Sequence, residues 1–116
     1  MSRDLGKQGE QLALRKIKSL GYKILEQNFR CKIGEIDLIA MDKNTLVFIE
    51  VRSKSTDKFG LPQETVNCQK QKKIRDVARY YLVKNKLTTE NCRFDVIGIV
   101  WNGKGKPEIE IIKNAF

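Results

Sequence analysis

Residues 35–52 read Glu35-Ile36-Asp37-Leu38-Ile39-Ala40-Met41-Asp42-Lys43-Asn44-Thr45-Leu46-Val47-Phe48-Ile49-Glu50-Val51-Arg52. The first part alternates, with Ile36, Leu38 and Ala40 expected on one face of a strand and Glu35, Asp37, Ile39 and Met41 on the other. Asp42-Lys43-Asn44-Thr45 is a turn signal, with Asn44 able to take a left-handed conformation. Leu46 to Ser53 is a second strand, rich in β-branched and aromatic residues. If Lys43-Asn44 is a two-residue loop, Ala40 faces Val47, Leu38 faces Ile49, Asp37 faces Glu50 and Glu35 faces Arg52.

Outward from this hairpin, Leu5 to Leu20 has helical periodicity and stops at Gly21, a good residue just past a helix end. Tyr22 to Asn28 reads as a strand with Tyr22, Ile24 and Glu26 on one face. Gly60 and Pro62 mark a loop, after which a helix starting at Glu64 or Asn67 runs to Lys86. Its inward stripe is Ile74, Val77, Ala78, Tyr81 and Leu82. Arg93 to Trp101 and Glu108 to Ile112 are two more strands around a turn at Asn102-Gly103-Lys104-Gly105. The fold class expected is α/β: helix, three-stranded meander, helix and two further strands on a mixed sheet. The strand–helix–strand passage is one right-handed parallel crossover. Residues 1–116 form a single domain.

Composition bounds the chemistry. The chain of 116 residues has 23 Lys and Arg against 14 Asp and Glu, a net charge of +9. A chain this long buries roughly two-thirds of its unfolded surface, enough for one core. Leu46-Val47-Phe48-Ile49 is far short of the ~20 apolar residues of a membrane span. Met1 to Gly6 has no apolar leader, so a cytoplasmic chain with no membrane contact is expected. Histidine is absent, which excludes Ser-His-Asp and Cys-His catalysis. Cys31, Cys68 and Cys92 form no C-x-x-C and read as free thiols in a reducing compartment. Catalysis must then rest on carboxylates, lysines, hydroxyls or a metal held by oxygens, and the charge favours a polyanionic partner.

The informative residues are acids on faces that ought to be buried. Asp37 opposite Glu50 destabilises a sheet unless positive charge lies between them. A divalent cation supplies it, since Mg²⁺ is usually held by one or two carboxylates with waters and substrate phosphate. The alternative is structural: Glu50 pairs with a lysine, and Asp37 accepts from a backbone amide. Glu10 shares the apolar face of the first helix with Ala13, Leu14 and Ile17, either as a third inward acid or in a helix-dipole role. Gly9 beside it permits close approach to another backbone.

These residues match a known pattern. Gly34-Glu35-Ile36-Asp37-Leu38-Ile39-Ala40 followed by Phe48-Ile49-Glu50-Val51-Arg52 resembles the PD-(D/E)xK nuclease motif. Gly9-Glu10, Gly21-Tyr22, Asn28-x-Arg30, Phe59-Gly60-x-Pro62-x-Glu64, Val66, Lys70-Gln71 and Arg93-Phe94-Asp95-Val96 extend the likeness to the bacterial YraN family of endonuclease-like proteins. The resemblance implies a restriction-endonuclease-like core, Mg²⁺ or Mn²⁺ as cofactor and DNA as substrate. It also implies likeness to archaeal junction resolvases, which leaves a homodimer open. Catalytic residues by motif are Glu10, Asp37, Glu50 and Arg52, with Asp37 and Glu50 as metal ligands. Glu35 acts through a water or pairs with Arg52. The motif's lysine is Arg52 here, which keeps the charge but does not readily shed a proton. Lys70, which continues the inward stripe of the second helix, is the substitute expected, with Lys54 next; a plain surface lysine is the alternative for Lys70.

Between Cys68 and Lys86, Lys70, Lys72, Lys73, Arg75, Arg79, Lys84 and Lys86 face a single acid, Asp76. Lys72, Arg75, Arg79 and Lys86 form a stripe suited to a phosphate backbone, which carries no sequence information. A solvated helix face is the alternative. Tyr80 and Tyr81 could stack on bases, with Tyr81 better placed in the core. Two functions are expected in order: a metal-dependent endonuclease acting on branched or damaged DNA, then a non-catalytic nucleic-acid-binding module of nuclease-like fold.

Overall fold

The computed structural model describes residues 2–55, 66–87, 91–103 and 106–116. The helix α1 (Ser2–Ser19) precedes the meander β1 (Lys23–Arg30), β2 (Glu35–Asp42) and β3 (Thr45–Ser55); α2 (Cys68–Lys84), β4 (Cys92–Trp101) and β5 (Glu108–Ile112) follow. The sheet order is β1-β2-β3-β4-β5, with β3 and β4 parallel and the other neighbours antiparallel. α2 provides the crossover, as expected of an α/β restriction-endonuclease-like core. No helix among the described residues is long and apolar enough to cross a membrane. The Phe59–Glu64 features and the Lys104-Gly105 part of the last turn lie outside the described residues.

Local signals explain the element ends. α1 stops where the Tyr22 N–H donates to the Ile17 carbonyl and the Gly21 N–H to that of Lys18, while Gly21 takes φ +93°. That pair of bonds is a Schellman cap, and Tyr22 and Ile17 share one core cluster, the apolar contact such caps favour. α2 starts at Asn67, whose side chain accepts the Lys70 N–H at 2.8 Å. It ends at Lys84, so Lys86, at φ +56°, is off the helix and does not extend the basic stripe.

The hairpin register is the one read from the sequence: Ala40 faces Val47, Leu38 faces Ile49, and Asp42 faces Thr45 around Lys43-Asn44. The left-handed residue is Lys43 at φ 58°, not Asn44. One core cluster lies under α1, with Leu38, Ala40, Val47, Ile49, Ile97 and Ile99; the other lies under α2, with Ile39, Phe48, Ile74, Val77 and Tyr81. Two expectations of facing fail. Ile36 belongs to the α2 cluster, apart from Leu38 and Ala40. The switch falls at Asp37, next to Asn28 of β1, whose φ of 53° breaks the pleat there. Glu26 leaves the face of Ile24 because a bulge separates them.

One end of the sheet is tied by a polar network that the sequence did not announce. Arg93 donates to Asp42 at 2.9 Å, to Asp95 at 3.0 Å and to the Tyr22 hydroxyl at 2.6 Å, joining β2 and β4 to the residue just before β1. Asp95 is 1% exposed and also accepts the Asn114 N–H. The Arg93 guanidinium holds the Asp42 carboxyl below its usual range. Arg93→Ala leaves the Asp95 carboxylate buried without its cation, so it is expected to cost about 3–5 kcal/mol, read as a fall in thermal unfolding temperature.

Candidate active site

The β2–β3 ladder ends at the Leu38–Ile49 pair, and Asp37 and Glu50 are the next residues on each strand. Where the strands part, backbone amides lose their cross-strand acceptors, and Asp37 Oδ2 takes the Val51 N–H at 2.8 Å. β3 is held flat on its other side by the long parallel ladder with β4, in which Glu50 sits beside Val96. Asp37 is 9% exposed and Glu50 6%, so two carboxyls share a nearly dry corner.

Burial first, and then the Asp37 charge, raise the Glu50 pKa from 4.5 to about 7. Burial also raises Asp37, while the Val51 N–H and a hydrogen bond with Glu50 pull it down. This is the behaviour of a pair that shares a proton. Lys70 Nζ lies 3.7 Å and Arg52 Nη1 3.4 Å from Glu50 Oε2. Lys70 thus points inward from the first turn of α2, as its spacing to Ile74 predicts.

Glu10 reaches the same corner from α1. Burial raises its pKa, followed by the charges of Asp37 and Glu35; a hydrogen bond with Asn28 lowers it. Gly9 lets α1 come this close, because a Cβ there would collide with Ser53 Oγ on β3. Glu35 turns away from the expected partner. Its carboxylate binds Arg30 Nε at 2.9 Å across the β1–β2 pair, since β2 has already left β3 at that point. Asn28 is the residue the sequence reasoning left without a role, although it heads the Asn28-x-Arg30 feature.

Both sequence readings of the acids find contacts. Asp37 accepts a backbone amide and Glu50 has two cations, yet the carboxyls also adjoin one another. Among the described residues no group of three or more His, Cys, Asp or Glu is arranged to hold a metal. Two buried carboxyls with open coordination left to water and phosphate still suit Mg²⁺ or Mn²⁺, which needs only one or two protein carboxylates. On α2, Lys72, Arg75 and Arg79 are all exposed. Lys72 pairs with Asp76 at 3.1 Å, and the Arg75 guanidinium sits over the Phe94 and Phe116 rings at 5.8 and 5.4 Å. Tyr81 is core at 4% exposure and Tyr80 is exposed at 43%.

A helix, a branching meander with two buried acids, and a parallel crossover define a restriction-endonuclease-like core. Within that class the chain belongs to the YraN family, whose model, "Uncharacterised protein family UPF0102", matches residues 9–99. It is 51% identical to a UPF0102 protein of Desulforamulus reducens, with 96% of this chain and 93% of the relative covered. A UPF0102 protein of Syntrophus aciditrophicus is 48% identical over 96% of this chain and 87% of its own. One from Caldicellulosiruptor saccharolyticus is 44% identical, with 98% of each covered.

The shared corner has a pH signature. Because the folded Glu50 pKa lies above its ordinary 4.5, the folded protein binds the extra proton. The stability tied to that proton is present below about pH 4.5 and is lost as pH rises through about 7. Glu50→Gln is therefore expected to gain on wild type, metal-free, between pH 5 and 8, by at most about 3 kcal/mol. It should also lose any thermal stabilisation by excess Mn²⁺. Parallel pH profiles for the two proteins, or an unchanged Mn²⁺ shift, would contradict the shared carboxyl site.

Proposed function

We propose that this protein is a Mg²⁺- or Mn²⁺-dependent endonuclease that hydrolyses phosphodiester bonds in DNA, with branched or damaged structures as its targets. The observation that supports this reading is the pairing of Asp37 with Glu50, both nearly dry, at the point where β2 and β3 part. A metal held by the two carboxylates supplies Lewis-acid charge at the phosphate and a more acidic water. Glu10, anchored by Asn28, orients the Asp37 side of the corner. Lys70 and Arg52 bring positive charge to the scissile phosphate as negative charge develops there. Lys70 alone of these two can take and release a proton, because a guanidinium stays charged. Lys72, Arg75 and Arg79 contact the phosphate backbone, and Arg75 does so from its seat on the Phe94 and Phe116 rings. The protein works on DNA in the cytoplasm, as a monomer or homodimer.

A second reading has its own support. Arg52 and Lys70 already surround Glu50 with positive charge, an arrangement a non-catalytic nucleic-acid-binding module could use to keep its fold. Incubation with branched, single-stranded and duplex DNA, in Mn²⁺ and then in chelator, separates the two. Mn²⁺-dependent cleavage by wild type and its loss in Asp37→Asn are expected. The amide oxygen of Asn can still accept the Val51 N–H, so the variant should stay folded.

Two further outcomes follow from the charges. Lys70→Ala should reduce cleavage at least as much as Arg52→Lys, since a lysine at 52 keeps its charge; full activity in Lys70→Ala removes that amine from the chemistry. Lys72→Ala with Arg79→Ala should weaken binding to all DNA sequences alike and flatten the slope of log affinity against log salt by about 1–2. An unchanged slope in filter binding places the DNA elsewhere.

A further inference from the structure

The flank of α1 away from Glu10 borders an open groove of about 440 Å³ that Trp101 and Pro107 also line. Lys7, Gln8, Gln11 and Arg15 line the helix side. Lys7, Gln11 and Arg15 recur at four-residue intervals, so their exposed side chains form one stripe over the groove. The volume lies within the range of small-ligand pockets, about 300–1,000 Å³. The lining is mostly apolar, with Leu12, Pro107 and the half-buried indole of Trp101, while Lys7, Arg15 and two carboxamides are exposed beside it; that combination suits a flat ring joined to an anion. Neither Lys7 nor Trp101 falls within the residues the family model matches.

We infer that this groove receives an unpaired nucleobase, stacked against Trp101, with Lys7 and Arg15 on the adjoining phosphates and Gln8 and Gln11 at the base edge. The inference deepens the proposed function and rests on its nucleic-acid partner. Stacking on an aromatic ring tolerates any base, and cations that follow the backbone add affinity without sequence preference. A fully paired base has no free face to offer. The groove therefore selects single-stranded or branched nucleic acid over duplex.

Position gives the inference a second consequence. Val96 lies beside Glu50 and Trp101 beside Ser55, so the groove is five residues further along the β3–β4 ladder than the carboxyl pair. At a strand rise of ~3.3 Å per residue the separation along the sheet is about 17 Å. A stacked nucleic-acid strand covers that in about five nucleotides, at 3.4 Å each. An unpaired base in the groove places the cut about that far away.

Trp101 is the only tryptophan in the chain, so the protein reports on its own groove. In chelator, where no cleavage proceeds, a single-stranded oligothymidine 12-mer should quench Trp101 emission by half or more at saturation. A fully paired hairpin of equal charge should leave it nearly unchanged. Anisotropy of the labelled 12-mer should show about tenfold weaker binding to Trp101→Leu and to the Lys7→Ala/Arg15→Ala double variant, with hairpin affinity held within twofold. Trp101→Phe, which keeps an aromatic face and the packing, should bind the 12-mer nearly as wild type. Binding of the 12-mer with unchanged Trp101 emission overturns the groove and leaves the nuclease reading standing. Quenching without Mn²⁺-dependent cleavage overturns the nuclease reading and leaves the groove. Absence of binding to either probe overturns both.

Discussion

Two carboxyl groups held together away from water are the constraint around which this molecule is arranged. Neither Asp37 nor Glu50 is placed by its own preference, since burial works against both charges and the Asp37 charge adds to the cost of ionising Glu50. They are placed by the sheet. β3 cannot bend away with β2, because its opposite edge is engaged along its length by β4. β2 leaves instead, aided by the kinked β1 at Asn28, and the separation exposes a corner that side chains must fill. The Val51 N–H, the Lys70 ammonium and the Arg52 guanidinium each offset part of the cost. What they leave is a pair of carboxyls whose burial is only partly offset.

The opposite end of the sheet shows how the same chemistry settles when all charges are matched. Asp95 is more deeply buried than either site acid, yet Arg93 and the Asn114 amide satisfy it, and Arg93 also holds Asp42. The Arg93 network closes one end of the sheet, whereas toward the other end β2 parts from β3. The contrast separates an acid whose charge is fully matched from two whose burial is only partly offset, although all three sit on strands with apolar neighbours.

This contrast also explains what could be read in advance. Element order, hairpin register and the crossover followed from period and turn chemistry, because the two-residue loop at Lys43-Asn44 pins Leu38 opposite Ile49. The inward positions of Lys70 and Glu10 followed from helical spacing. Failures came where a single backbone torsion overruled alternation. Asn28 moved Ile36 to the other face, the Ile24–Glu26 bulge displaced Glu26, and the departure of β2 gave Glu35 to Arg30. No periodicity encodes a kink in a neighbouring strand. The Arg93 network was invisible for a related reason: Tyr22 and Asp42 are distant in sequence from the Arg93–Asp95 pair, and each charged member looks like a surface residue. The groove at Trp101 joins the first helix to the end of β4, a juxtaposition only the fold creates.

The parallel pairing of β3 with β4 has a consequence during synthesis. The β1–β3 meander is local and can form early, but its β3 edge stays open until residues 92–101 emerge and return through α2. During that interval Leu46-Val47-Phe48-Ile49 is an apolar strand edge of the kind that recruits other chains. Glu50, Arg52 and Lys54 follow it at every second position along the same strand. Charges so placed act as gatekeepers against association of nascent chains, so Glu50 and Arg52, which meet in the corner of the finished protein, also guard the unfinished one.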